Sequence, residues 1–203
     1  MCIRDRRYLP AAELSKLKST TASNPQCEYA RKLFLFSYYC YGISFIDMAM
    51  LTAAHIKQME DGNYIVYKRQ KIKRQKGVKP ISIKITPAIR QLIGSLQAAS
   101  PTVDDFLLPI VTRSGYTGER LYMHIRARYS KYQKYLRLLA EELGIDFHLT
   151  SYVSRHTAAM TLQRNNIPRE VISQMLGHAD LETTNIYLDS FDNEVINEAA
   201  KVL

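Results

Sequence analysis

Most of this chain carries apolar residues at the three- and four-residue spacing of a helix. Residues 7–17 form a short helix opened by Pro10, with Leu14 and Leu17 on one face. The Ser-Thr-Thr-Ala-Ser-Asn stretch at 19–24 reads as a loop. Residues 28–41 are strongly apolar, with Leu33, Phe34, Phe36, Tyr38 and Tyr39, and predict a buried helix ending near Gly42. A second helix over 44–50 would turn Phe45, Met48 and Ala49 inward. The period then changes. Asp61-Gly62 signals a turn, and the β-branched and aromatic runs at 64–68 and 81–85 predict two strands of a hairpin. Thr86-Pro87 starts another helix through Ile89, Leu92, Ile93 and Leu96, residues 104–118 look irregular, and 121–143 return to helix with basic and aromatic residues interleaved.

In the last quarter, Thr150 or Ser151 can cap a helix through Tyr152, Arg155, Ala159 and Leu162. Pro168 opens the next, with Val171, Ile172, Met175 and Leu176 inward and Gly177 as its stop. Asp180 can cap a third helix carrying Leu181, Thr184, Tyr187 and Leu188, and residues 193–203 make a short amphipathic helix. The expected fold is mainly α with a small antiparallel β-sheet (α+β), in one domain spanning 7–203. Residues 1–6 lack the apolar core of a signal peptide and read as extraneous or disordered sequence ahead of that domain.

Composition narrows the partners. The 203 residues carry 28 Lys+Arg against 19 Asp+Glu, a formal charge of +9, which favours an acidic partner such as nucleic acid. The hairpin loop concentrates this charge: Lys68, Arg69, Lys71, Lys73, Arg74, Lys76 and Lys79 have no acid between them. That run points to contact with a phosphate backbone more than to a merely solvated face. No apolar run reaches the roughly 18 residues of a membrane-spanning helix. Cys2, Cys27 and Cys40 show no metal-ligand spacing and read as reduced thiols of a cytosolic protein.

Three late motifs fall in order: Leu149-Thr-Ser-Tyr-Val-Ser-Arg155-His156, Met175-Leu-Gly-His178 and Thr183-Thr-Asn-Ile-Tyr187. Arg155 and His178 lie 23 positions apart, and His178 and Tyr187 nine. Together they resemble the C-terminal signature of the tyrosine recombinases, the phage-integrase family, in particular mobile-element integrases of Bacteroides-like bacteria. The resemblance extends over nearly all of 7–203, and implies that the family's N-terminal DNA-clamping domain is missing ahead of residue 7.

What the resemblance implies is a site-specific recombinase that needs neither metal nor cofactor. Tyr187 would attack the scissile phosphate and store the bond energy in a 3′-phosphotyrosyl link. Arg155 and His178 would donate to the non-bridging oxygens as charge gathers there. A hairpin lysine would protonate the leaving 5′-oxygen. Counting from the first strand, Arg69-Gln70-Lys71 nominates Lys71, the favoured choice; counting back from the second nominates Lys76. Lys68, Arg69, Lys73, Arg74 and Lys76 would hold the DNA backbone.

Two positions depart from the family pattern. Ser44, after Gly42-Ile43, stands where the first arginine is expected, and Tyr41, the alternative position, is not an arginine either. Tyr152 occupies the place of a histidine; three residues before Arg155, it shares that helix face and can hydrogen-bond near the phosphate. Asp47, three after Ser44, suits either an anchor of the site through hydrogen bonds or a plain surface or cap role, while His156 suits a structural role.

The implied partners are double-stranded DNA, other copies of the chain joined through the C-terminal helix, and accessory DNA-bending proteins. The implied location is the bacterial cytoplasm, at the nucleoid. The alternative readings are a catalytically impaired DNA-binding protein on the same fold, with Ser44 as the mark of decay, and a helix-turn-helix regulator.

Overall fold

The computed structural model describes residues 8–73, 77–178 and 184. Seven helices and one three-stranded sheet make up these segments: α1 (Ala11–Ser19), α2 (Pro25–Tyr39), α3 (Phe45–Ala49), β1 (Ile56–Met59), β2 (Gly62–Tyr67), β3 (Ile81–Lys84), α4 (Pro87–Ala99), α5 (Gly118–Glu142), α6 (Ser151–Arg164) and α7 (Arg169–Leu176). The mainly helical architecture with a small antiparallel sheet is as expected.

Helix α2 is the central element, packed against α4, α5 and α6. Its start lies three residues before the apolar stretch: Asn24 caps it, its side chain accepting from the Gln26 and Cys27 N–H groups, with Pro25 at the first helical position. The Asn-Pro pair was a start signal visible in the sequence. Leu33, Phe34 and Phe36 are fully enclosed, whereas Tyr38 and Tyr39 are only half-buried. Cys27 and Cys40 are buried free thiols, and burial pushes both up, keeping them protonated.

The sheet has the order β1-β2-β3, with Ile56 opposite Ile65 and Ile65 opposite Ile83. The expected pair of strands is present as β2 and β3. The additional strand β1 was hidden because its sequence, Ile-Lys-Gln-Met, has little β-character, and Asp61-Gly62 turns out to join β1 to β2. Only one face of β2 and β3 is buried, through Ile65, Tyr67, Ile81 and Ile83.

Two helix ends depart from expectation. Thr150 holds the cap position of α6, but its side chain makes no cap bond; the Ser151 N–H donates to Gln133 Oε1 of α5 at 2.9 Å instead. In α7, Ile172 and Leu176 are buried as expected, whereas Val171 is 44% exposed, because α7 rests its opposite side on α6 and β3. The helices expected beyond Asp180 and over 193–203 lie outside the described residues.

The turn from α2 to α3 sets up the site. Tyr41 and Gly42 both have left-handed backbones, φ 57° and 71°. The Gly42 N–H donates to the Ser37 carbonyl at 2.7 Å, and the Ser37 hydroxyl donates to the Ile43 carbonyl at 2.8 Å and meets Ser154 Oγ at 2.7 Å. A Cβ on Gly42 would stand 2.4 Å from the Arg155 Cα, so glycine is required both for its φ and for close approach to α6. Gly42→Ala is therefore expected to destabilise the chain by about 2 to 3 kcal/mol, read as a lower urea midpoint at unchanged slope.

Candidate active site

Arg155 enters from the first half of α6 and is 4% exposed. Its Nη1 donates to the Gly42 carbonyl at 3.0 Å, and its Nη2 to the Leu176 carbonyl at the end of α7. The same Nη2 lies 2.9 Å from His178 Nε2. Guanidinium has only donors, so His178 accepts there and carries its proton on Nδ1, which meets Thr184 Oγ at 2.8 Å. Gly177, with φ 62°, ends α7 in the left-handed conformation expected of a helix stop and delivers His178 to this position. Thr184, buried at 0% exposure, is an orienting residue that the motif analysis did not single out.

Arg155 borders a cleft of about 300 Å³ that is also lined by Gly42, Ser44, Phe45, Arg69, Arg126, Tyr129 and Tyr152, among others. Three arginines and no carboxylate are among its lining residues. Tyr152 is 52% exposed and packs edge-on against His156, with ring centroids 4.7 Å apart. His156 itself is buried, consistent with a structural role. Phe45 stacks on Tyr132 at 5.1 Å, and the Tyr129 hydroxyl pairs with Ser151 Oγ at 3.1 Å, so α3, α5 and α6 share one wall. Arg126 and Tyr129 were legible only as part of the basic and aromatic interleaving of α5.

Asp47 lies beneath the cleft, 3% exposed. Its Oδ2 accepts from the Ser44 hydroxyl at 2.6 Å, and its Oδ1 accepts from the Gln70 N–H at 2.7 Å. The carboxylate thus ties the start of α3 to the loop that leaves β2. Arg69, in that loop, donates from Nη1 to the Gly177 carbonyl at 3.3 Å. Lys68, Lys71 and Lys73 are exposed, and Lys73 donates to Gln70 Oε1 at 2.6 Å. The buried Tyr67 phenol is pushed far up by desolvation, with the Asp47 charge adding to it, and stays neutral.

The structure therefore brings together Arg155, His178, Tyr152 and Arg69. Lys71 is on the same loop as Arg69, two residues further along. Tyr187, Arg74 and Lys76 lie outside the described residues. Among the described residues no cluster of three or more His, Cys, Asp or Glu could hold a metal, and no helix is long and apolar enough to cross a membrane.

Helices packed around one small antiparallel sheet, with Arg155 at a basic cleft and His178 held against it, fit the class of tyrosine recombinase catalytic domains. The chain belongs to the phage integrase family, whose model matches residues 7–194. It is 31% identical over 114 residues to the tyrosine recombinase XerC of Rhodospirillum centenum, covering 56% of this chain and 31% of that protein. To XerD of Halalkalibacterium halodurans it is 43% identical over 54 residues, 27% of this chain and 18% of that protein. The chain thus spans under a third of the length of these two relatives. Its fold matches the crystal structure of XerA recombinase with a TM-score of 0.65 at 22% identity, over 96% of this chain and 64% of that one. The XerH recombinase bound to its difH substrate gives 0.65 at 19%, over 96% and 54%.

Asp47→Ala removes a buried charged acceptor from two donors. It is expected to lower stability by about 2 to 3 kcal/mol in urea unfolding, and to speed amide hydrogen exchange at Gln70.

Proposed function

We propose that this chain cleaves and rejoins double-stranded DNA through a covalent phosphotyrosyl intermediate, as the catalytic domain of a site-specific recombinase. The observation that supports this most is the meeting of Arg155 and His178 at 2.9 Å beside a cleft lined by arginines.

The chemistry follows from what each group can do. The Tyr187 oxygen attacks phosphorus and gives up its proton to water, while the bond to the 5′-oxygen breaks and that oxygen takes a proton from Lys71. A 3′-phosphotyrosyl link and a 5′-hydroxyl result, and attack by a 5′-hydroxyl of another strand reverses the step. In the transition state a phosphate oxygen takes the place of His178 as acceptor for Arg155 Nη2. The imidazole, freed of that contact, can present a ring N–H to the same phosphate as a second donor. The Tyr152 hydroxyl, exposed at the cleft on the same face of α6, adds a neutral donor. Lys71 delivers the proton to the leaving 5′-oxygen. Lys68, Arg69 and Lys73, with Arg74 and Lys76, hold the backbone on either side, so affinity falls steeply with salt.

The family resemblance supports self-association on DNA through residues 193–203, with accessory DNA-bending proteins assisting assembly at the bacterial nucleoid.

On nicked duplexes Tyr187→Phe is expected to abolish covalent protein–DNA adducts in denaturing electrophoresis while retaining DNA binding in a mobility-shift assay. Adducts that persist in this variant would assign the nucleophile elsewhere.

A further inference from the structure

We propose that the Thr184 hydroxyl is a positioning group that serves His178 in both directions. It accepts from Nδ1–H while Arg155 donates to the ring, and it donates to a bare Nδ1 once a phosphate oxygen takes the place of Arg155. The imidazole thereby moves its proton from Nδ1 to Nε2 without leaving its position. This deepens the recombinase reading of the site and rests on it.

Arg155 sets the first of the two arrangements. A guanidinium has only donors, so at 2.9 Å His178 Nε2 presents a lone pair and the single proton of the neutral ring sits on Nδ1. Thr184 Oγ, 2.8 Å from Nδ1, then accepts. A phosphate reverses the demand at Nε2. Its oxygens are acceptors, and a bare Nε2 would meet them lone pair against lone pair. The ring stabilises the developing charge only with an N–H at Nε2, which leaves Nδ1 bare and calls for a donor on that side.

Turning the ring over does not answer this demand. The His178 N–H donates to the Ser173 carbonyl at 3.1 Å, and the Gly177 N–H to the Gln174 carbonyl at 3.0 Å, so the backbone beneath the imidazole is fixed to the end of α7. A half-turn of the ring would set carbons where Nδ1 and Nε2 now stand and give up both side-chain contacts. Moving the proton keeps the Thr184 contact and frees Nε2 for phosphate. One proton leaves Nδ1 for water and another enters from water at Nε2, so the ring is neutral before and after. His178 is only half-buried, which lets water reach it.

A hydroxyl suits both arrangements because it carries one O–H and two lone pairs. A carboxylate in its place could only accept and would hold the proton on Nδ1. An ammonium could only donate and would oppose the pairing of His178 with Arg155. Thr184 is 0% exposed, so bulk water does not compete for its hydroxyl.

The test uses the full chain and nicked duplexes recovered from a random-sequence pool by their covalent attachment to the wild type. Ring-nitrogen shifts are read by NMR from 15N-histidine-labelled Tyr187→Phe protein, which binds without reacting, at a pH above the usual imidazole range. His178→Gln identifies the signals of this ring among the five. The free chain is expected to carry the proton on Nδ1, and the DNA complex to carry it on Nε2. In Thr184→Val, which keeps the shape and lacks the hydroxyl, the swap is expected to be incomplete. Adduct formation at saturating DNA is expected to slow by about 10- to 100-fold in Thr184→Val, with Thr184→Ser recovering most of the loss. Thermal unfolding midpoints show whether each variant keeps its fold; if Thr184→Val does not, the free and bound shifts with Thr184 in place decide. A free ring protonated on Nε2, or a bound ring protonated on Nδ1 alone or on both nitrogens, overturns the proposal and leaves the recombinase reading standing. So does a Thr184→Val chain that forms adducts at the wild-type rate, or one that moves the proton as completely as the wild type. No wild-type adduct from anywhere in the pool overturns both readings.

Discussion

The site depends on a single buried guanidinium. Arg155 is almost wholly removed from water, and a charge so placed is tolerated only where its donors meet acceptors. Those acceptors come from separate parts of the chain: the Gly42 carbonyl before α3, the Leu176 carbonyl at the end of α7, and the His178 imidazole after it. Burying the charge therefore holds the α2–α3 turn, α6 and α7 in one arrangement. The residue proposed to bind phosphate is the same one that gathers the residues around it.

That arrangement explains why glycine stands at two of the joints. At Gly42 the chain must turn left-handed against the Cα of Arg155, and at Gly177 it must end a helix under Ile81 and Arg69. A side chain at Gly42 would collide with Arg155, and one at Gly177 with Ile81. The polar joints work alongside the glycines. Ser37 links the end of α2 to Ile43 and to Ser154, one residue before Arg155, and Asp47 links α3 to the loop after β2.

Charge placement follows from the same geometry. The cleft gathers arginines from the β2 loop, α5 and α6, while the carboxylate nearest to it is turned beneath, against Ser44 and Gln70. A polyanion approaching the open side meets donors first. The neutral phenol of Tyr67 beneath the cleft can carry no competing negative charge.

Much of this was legible in the sequence, for local reasons. Helical periodicity, the Pro87 and Gly177 punctuation and the spacing of Arg155 and His178 all act over a few residues or repeat in a recognisable order. The mainly helical class and the pairing of Arg155 with His178 followed from them. Strand β1 did not, because a polar edge strand is defined by the neighbour it pairs with and not by its own composition. Nor did the inward face of α7 at Val171, which depends on which side α6 and β3 occupy. The roles of Asp47, Thr184 and Arg69 required the folded chain: Asp47 and Gln70 are 23 residues apart, and Arg69 and Gly177 are 108 apart. Hydrogen bonds across such separations are chosen by packing, so the sequence by itself determined the elements and the chemical groups, and only the tertiary structure decided which of those groups face one another.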